Sequence, residues 1–322
     1  RNEQFLLQHP AMIYIRFPHP DLANHVALAR FLAKAQHSDG DWTSLFDWLE
    51  EHQYVGTNGL GGGKCWYSEQ PIGGKGDREV EHFRPKMKLS SLTTTHRNDL
   101  RKKGILAAIE PFLEEAGEGY PWLRFKASNY RLSSASVNMQ GSKGSIFPVL
   151  KGAHRIEDPS EDYLAEFAIL LDPSVIEDVE SLAINPIGEI TPAFAERPNP
   201  AADFVTQWNS NGMRWLRAEV SIVVFDLNNS SWIKSRKDIY DKVTRDALDL
   251  RSAIASGNEA LLRKCKELLL ERTRKDAPFA GAGRSALQDQ IRALAASNAL
   301  PDKLAQTVLK EIQATIRRAE YP

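Results

Sequence analysis

The chain has 322 residues, of which 42% are hydrophobic and 26% are charged, a balance that is ordinary for a protein with a buried core. Its formal net charge of −1 excludes a uniformly basic nucleic-acid binder but allows a local basic patch. No apolar run is long enough for a membrane helix, and the two cysteines, Cys65 and Cys265, do not suggest a disulfide framework. We therefore expect a cytoplasmic protein without a membrane segment.

The N-terminal part of the chain has a helical pattern followed by a glycine-rich stretch. Apolar residues recur at helical spacing over 20–49, interrupted by Asp39-Gly40, and predict two short helices. Residues 56–63 are glycine-rich, but Asn58 and Cys65 stand where a phosphate-binding P-loop needs a glycine and a hydroxyl. The glycine-rich stretch is therefore predicted as a loop that precedes a strand.

The middle of the chain alternates between short strand and helix patterns. Residues 64–86 predict two short strands around a turn at 71–77. A helical stretch is predicted from about Asp99 to Glu115, split or kinked at Pro111. A further short strand is predicted near Tyr130 to Leu132.

The C-terminal half is predicted to be mainly helical. Residues 167–171 and 181–184 suit short strands or loops, and 214–225 fits a strand or a helix equally well. Helical spacing then predicts four helices, over 239–255, 259–274, 283–296 and 301–319. Asn258 and Pro301 stand at typical helix starts.

The stretch from Glu79 to Lys86 carries the chemistry. A neutral histidine, here His82, can take a proton from water near neutral pH. The neighbouring Glu81 offers the hard oxygen ligands that Mg²⁺ prefers. Adjacent side chains on a strand point to opposite faces, so a bend is needed to bring both residues into one site.

A basic segment follows this histidine. Between residues 84 and 103 the only acid is Asp99, and the cations are Arg84, Lys86, Lys88, Arg97, Arg101, Lys102 and Lys103. Such a run can be a solvated surface or a phosphate-binding patch. Its position directly after His82 favours phosphate binding.

Three motifs together resemble a known family. Residues 80–86 read VEHFRPK, residues 65–69 before them read CWYSE, and residues 143–148 after them read KGSIFP. These motifs are similar to those of the HNH endonucleases associated with retrons and Septu-type anti-phage defence, with weaker matches over roughly residues 50 to 300. The resemblance implies an α+β fold in which a ββα-metal nuclease core at 51–150 lies between a helical flank at 1–50 and a mainly helical region at 151–322.

The resemblance also implies a role for individual residues. His82 would be the general base, and Asn129 would hold its imidazole in the productive orientation. Glu81 and Asn138 would bind Mg²⁺ or Mn²⁺, with Asn138 on the short helix. The residues expected to contact nucleic acid are Arg84, Lys86, Lys88 and Lys143.

The chain departs from the family at the positions of a structural zinc site. Family members carry two Cys-x-x-Cys pairs, whereas the corresponding positions here are Cys65, Ser68, Ser134 and Val137. Serine is a poor zinc ligand and valine is none, so we expect no structural zinc and ordinary packing in its place. Cys65 itself is expected to be a buried small residue rather than a nucleophile.

The sequence therefore predicts a metal-dependent HNH endonuclease that hydrolyses phosphodiester bonds of DNA or RNA. By resemblance, it would be the effector of an anti-phage system and would act beside an ATPase partner chain. The alternative is a catalytically inactive HNH-like module that binds nucleic acid or protein as a structural subunit of a defence complex. The lost thiols favour the alternative, and the retained Glu81, His82 and Asn138 favour the enzyme.

Overall fold

The structure is a computed structural model. It describes residues 45, 49, 63–73, 76–139, 141–158, 161–162, 166–199, 202, 205–274 and 277–320. The helices predicted over 20–49 and most of the glycine-rich loop lie outside these residues, although Leu45 and Leu49 are both fully buried. The described residues combine helices with small antiparallel sheets, which confirms the predicted α+β class.

The described residues form two compact units. Unit one comprises 182–191 and 228–320, and unit two comprises 63–181 and 192–227. No helix among the described residues is long and apolar enough to cross a membrane. The residues expected to form the functional site all belong to unit two.

Unit two contains two small sheets. Strand β1 (Arg78–His82) pairs antiparallel with β3 (Tyr130–Ser134), and β2 (Leu113–Glu114) pairs antiparallel with β4 (Val149–Leu150). The helix α3 (Ala135–Asn138) follows β3 without a break, so the chain forms two antiparallel strands and a short helix.

Unit two also contains further helices. Thr93 starts α1 (Thr94–Lys102) with a reciprocal capping box to His96. The shorter helices α2 (Leu106–Ile109) and α4 (Ile176–Val179) follow in the chain. Three 3₁₀ turns cover Glu110–Phe112, Pro121–Leu123 and Ala127–Asn129. Residues 214–225, for which the sequence allowed a strand or a helix, belong almost entirely to the helix α5 (Asn211–Val224). At its start the Ser210 hydroxyl accepts a hydrogen bond from Met213 N.

Unit one is a helical bundle preceded by a hairpin. Strands β5 (Leu182–Ile184) and β6 (Ile190–Pro192) form the hairpin. The bundle consists of α6 (Ser230–Ser256), α7 (Glu259–Thr273), α8 (Ala280–Ala295) and α9 (Leu300–Glu320). The four helices predicted here are confirmed, and Asn258 caps α7 by accepting from Leu261 N at 3.0 Å. Their buried sides share an apolar core that includes Val243, Leu250 and Leu269.

Two of the predicted elements differ in the structure. The helical stretch predicted from about Asp99 to Glu115 is divided in the structure into α1, α2 and the 3₁₀ turn that contains Pro111. A break that was not predicted separates α1 from α2 at Gly104, whose φ of 70° is left-handed. Between 64 and 71 the chain makes a single isolated bridge, Lys64 with Pro71, around a turn rather than a regular strand. The second predicted strand of this region is β1.

Candidate active site

Strand β1 directs its side chains to two environments. Val80 and His82 line a groove of about 490 Å³, and the intervening Glu81 has no exposed surface. This alternation is what an extended strand imposes. The groove is completed by Pro85, Lys86, Met87, Asn138, Gly144 and Ser145. The structure thus brings His82, Asn138 and Lys86 together and leaves Glu81 on the other side of the strand.

The imidazole of His82 is held in one tautomer. Its Nε2 lies 3.0 Å from the carbonyl oxygen of Arg124, and a carbonyl can only accept, so Nε2 carries the proton and Nδ1 carries the lone pair. The ring also meets Tyr130 edge-on, with 5.2 Å between centroids. The His82 ring is therefore oriented by a backbone carbonyl and a neighbouring aromatic ring.

Burial lowers the pKa of His82 to about 4, and the nearby cations Lys86, Lys143 and Arg124 act in the same direction. The hydrogen bond to the Arg124 carbonyl opposes this shift because it favours the protonated ring. His82 is accordingly neutral at pH 7 and can accept a proton. An anionic phosphate placed beside it would raise this pKa and make the ring a stronger base.

Asn129 clamps the chain that follows His82 rather than the ring itself. Its Oδ1 accepts from Arg84 N at 2.8 Å, and its Nδ2 donates to Arg84 O at 2.9 Å. Its carbonyl oxygen also accepts from Phe83 N at 2.9 Å. These three hydrogen bonds fix the turn at the end of β1. Asn129 is thus a positioning residue for His82 that acts through the backbone.

Glu81 lies in a closed interior cluster. Tyr67 Oη donates to Glu81 Oε2 at 2.6 Å, and Glu81 Oε1 forms an ion pair with Lys143 Nζ. Lys143 also has no exposed surface, and its Nζ donates to the carbonyl oxygen of His82 at 2.8 Å. Burial raises the pKa of Tyr67 and lowers the pKa of Lys143. Lys143, expected to contact phosphate, is placed here as the counter-ion of Glu81.

Asn138 is the last residue of α3 and lines the groove beside His82. Its Nδ2 donates to Glu79 Oε2 at 2.7 Å, which fixes its side chain against β1. Asn138 was expected on the short helix by the family resemblance, and it lies there. Glu79 was not among the expected site residues, although the spacing of two from Glu81 on a strand could have drawn attention to it.

The other residues expected to contact nucleic acid lie in different surroundings. Lys86 lines the groove. Lys88 is exposed and faces Glu118 at 3.6 Å. Arg84 is buried, donates to Glu166 at 3.1 Å and lies over the ring of Phe147. Of the four expected cations, Lys86 is the one that the structure places in the groove wall.

The four positions of the degenerate zinc site are all buried. Cys65 and Ser68 belong to a turn closed by a hydrogen bond from Glu69 N to Cys65 O at 3.0 Å. Trp66 N donates to Leu132 O at 2.9 Å and so attaches this turn to β3. At the remaining positions, Ser134 contacts the Ser136 hydroxyl and Val137 is packed without exposure. Within the described ranges, no three His, Cys, Asp or Glu side chains are grouped to hold a metal ion.

The expected Mg²⁺ or Mn²⁺ ion requires oxygen ligands that converge on one point. Asn138 lines the groove, but both carboxylate oxygens of Glu81 are engaged by Tyr67 and Lys143 on the other side of β1. The pair Glu81 and Asn138 therefore does not fit this role in the observed arrangement.

Tyr67 and the carbonyl of Arg124 contribute to the site although the sequence analysis did not single them out. Tyr67 lies within the CWYSE motif, so its proximity to β1 could have been suspected from sequence. The Arg124 carbonyl carries no side-chain signal at all, since any residue provides the same group.

Comparisons with known proteins do not assign the chain to a family. No family model matches it, and no similar curated protein or solved structure was found.

Proposed function

We propose that β1, β3 and α3 form an HNH-like nuclease core that cleaves phosphodiester bonds of DNA or RNA. The observation that carries the proposal is the groove in which His82, Asn138 and Lys86 meet at the junction of two antiparallel strands and a short helix. The VEHFRPK motif that resembles HNH endonucleases contributes His82 and Lys86, and the KGSIFP motif contributes Gly144 and Ser145 to the same groove.

The groove provides the parts for base-assisted hydrolysis. Nδ1 of the neutral His82 takes a proton from a water molecule, whose oxygen attacks the phosphorus. The bond from phosphorus to the leaving oxygen breaks, and solvent supplies the proton which that oxygen requires. Lys86 attracts the phosphate into the groove. The Asn129 clamp and the Arg124 carbonyl hold the base in place during this step.

The remaining parts of the proposal rest on the sequence motifs alone. These are a requirement for Mg²⁺ or Mn²⁺, a role as effector in anti-phage defence, and an ATPase partner chain. A divalent ion would supply charge stabilisation to the phosphate. Since Glu81 is engaged elsewhere, the pair Glu81 and Asn138 does not supply the ligands for this ion in the part of the chain that the structure describes.

A second candidate function is favoured by the state of Glu81. Its buried pairing with Lys143 removes the carboxylate that the family uses, as expected of an inactive HNH-like binding module. Such a module would retain the groove and bind nucleic acid without cutting it.

One assay separates the two functions. Plasmid DNA and total RNA are incubated with wild type, His82→Ala and His154→Ala, each with Mg²⁺, Mn²⁺ or EDTA. His154 is an exposed histidine paired with Glu161 and provides the matched control. If the protein is a nuclease that uses His82 as its base, His82→Ala should lower the cleavage rate roughly 100-fold or more, and His154→Ala should not.

Equal cleavage by wild type and His82→Ala would rule out the proposed base. Wild type that binds nucleic acid in a gel-shift assay but cleaves none of these substrates would favour the binding module. Thermal unfolding of each variant confirms that a lost activity is not a lost fold.

A further inference from the structure

We infer that Lys143 supplies, from within the chain, the positive charge at Glu81 that the family resemblance assigns to a divalent ion. Lys143 is then a positioning residue for His82, and Glu81 is not a metal ligand. The inference deepens the proposed function and depends on it for the role of His82, but its placement of charge rests on geometry alone.

Lys143 and Tyr67 enclose the carboxylate of Glu81. Its ammonium group pairs with Glu81 Oε1 and donates to His82 O at 2.8 Å, with no exposed side-chain surface. Tyr67 Oη occupies the other carboxylate oxygen at 2.6 Å, and its ring stacks on Phe225 with 4.3 Å between centroids. Both oxygens of Glu81 are therefore engaged by groups that are themselves buried and packed.

The buried charged groups around Glu81 balance one another. Arg131, the partner of Glu81 across β1 and β3, donates to both carboxylate oxygens of Asp172, at 2.8 and 2.5 Å. The buried groups Glu81, Asp172, Lys143 and Arg131 thus sum to zero charge. A divalent ion at Glu81 would have to displace the ammonium group or leave surplus positive charge in the interior, and burying uncompensated charge is costly.

Lys143 also connects the short helix α3 to strand β1. Lys143 N donates to Val137 O at 3.2 Å, which holds the loop after α3 against the last turn of that helix. The same residue reaches β1 through His82 O. Lys143 thereby links the helix that carries Asn138 to the strand that carries His82, and sets the distance between the two groove residues.

The test measures Mn²⁺ affinity by electron paramagnetic resonance of the full chain, for wild type, Glu81→Gln and the double variant Glu81→Gln/Lys143→Met. The inference predicts that the three affinities agree within about twofold; an absence of binding in all three agrees with it as well. A loss of tenfold or more in either variant would overturn it, because Glu81 would then be a ligand. The double variant retains a neutral cluster in case the single variant does not fold.

A second measurement tests the pairing. By urea unfolding, Lys143→Met alone should be much less stable than the double variant, which should recover roughly tenfold in the folding equilibrium constant. Additive effects would contradict a direct pair. The nuclease proposal fails on a different result, unchanged cleavage by His82→Ala, so the two can fail separately.

Discussion

The two faces of strand β1 differ in what surrounds neighbouring residues of a single motif. On one face His82 lines a groove with Asn138 and Lys86, and on the other Glu81 is enclosed with Tyr67 and Lys143. Two residues adjacent in sequence therefore have different environments, one suited to chemistry and one to stability. Adjacency in a motif does not place two side chains in one site unless the backbone bends between them.

The largest expected effect is on the enclosed face. Lys143→Ala leaves the carboxylate of Glu81 buried without its counter-ion, and breaking a buried pair in this way costs about 3–5 kcal/mol. The free energy of unfolding is measured by urea titration. Lys88→Ala is the control. A loss below about 1 kcal/mol for Lys143→Ala would mean that water reaches the cluster and that the two faces are less different than described.

The next largest effect is expected at Asn129, whose side chain holds the backbone of Arg84 just after β1. Asn129→Ala removes the partners of Arg84 N and Arg84 O, and a buried polar group left without a partner costs about 1–3 kcal/mol. The ring of His82 should keep its hydrogen bond to the Arg124 carbonyl, because Asn129 does not contact the imidazole. Imidazole ¹⁵N chemical shifts report the tautomer, and a change of tautomer in Asn129→Ala would contradict a purely backbone role.

On the groove face, the burial of His82 should make the free energy of unfolding depend on pH. Burial lowers the pKa of His82 to about 4, whereas a histidine in the unfolded chain has a pKa of about 6.5. Between these pH values the unfolded state binds more protons than the folded state, so the free energy of unfolding falls as the pH drops from about 6.5 towards 4. Above about pH 6.5, His82 is neutral in both states and its titration does not reduce stability.

The measurement compares unfolding free energies of wild type and His82→Gln across this range. The variant should lose about 1–3 kcal/mol less than wild type on acidification. His96, whose pKa burial also lowers, remains in both proteins and cancels in the comparison. Parallel curves would mean that solvent reaches the His82 ring as freely as in the unfolded chain.

The smallest expected effect concerns the exposed cation. Lys88→Ala should change stability by less than about 0.5 kcal/mol, because its side chain is 77% exposed and its contact with Glu118 is screened by water. Lys86→Ala, in the groove wall, should weaken nucleic-acid binding more than Lys88→Ala does. Fluorescence anisotropy with a labelled oligonucleotide measures both, and equal losses would place phosphate contacts outside the groove.

The helical bundle was predictable because its signals are local. Asn258 marked the start of α7, and apolar spacing marked the helices on either side. The stretch 214–225 stayed ambiguous because a short run rich in apolar and β-branched residues does not distinguish a strand from a helix, although the cap at Ser210 was present in the sequence. The break of the helix predicted from Asp99 turned on the left-handed Gly104.

The candidate site was predictable in part, for a similar reason. The side chains of His82 and Asn138 could be placed on a strand and a short helix from sequence. The burial of Lys143 could not, because a lysine is normally exposed and its partners Glu81 and Tyr67 are distant in the chain. Contacts of this kind depend on tertiary packing, which no local pattern records.

The long segment between β1 and β3 has a consequence for how the molecule folds. Residues 83–129 must be brought into a closed loop before His82 can pair with Tyr130, and loop closure is entropically unfavourable. The bundle helices α6 and α7, by contrast, are consecutive and pack on each other through local contacts, which form early. We expect refolding to show a rapid gain of helical circular dichroism and a slower phase in which the surroundings of His82 are completed. Since Lys143 lies beyond β3, a chain growing on the ribosome assembles the groove only after that residue has emerged.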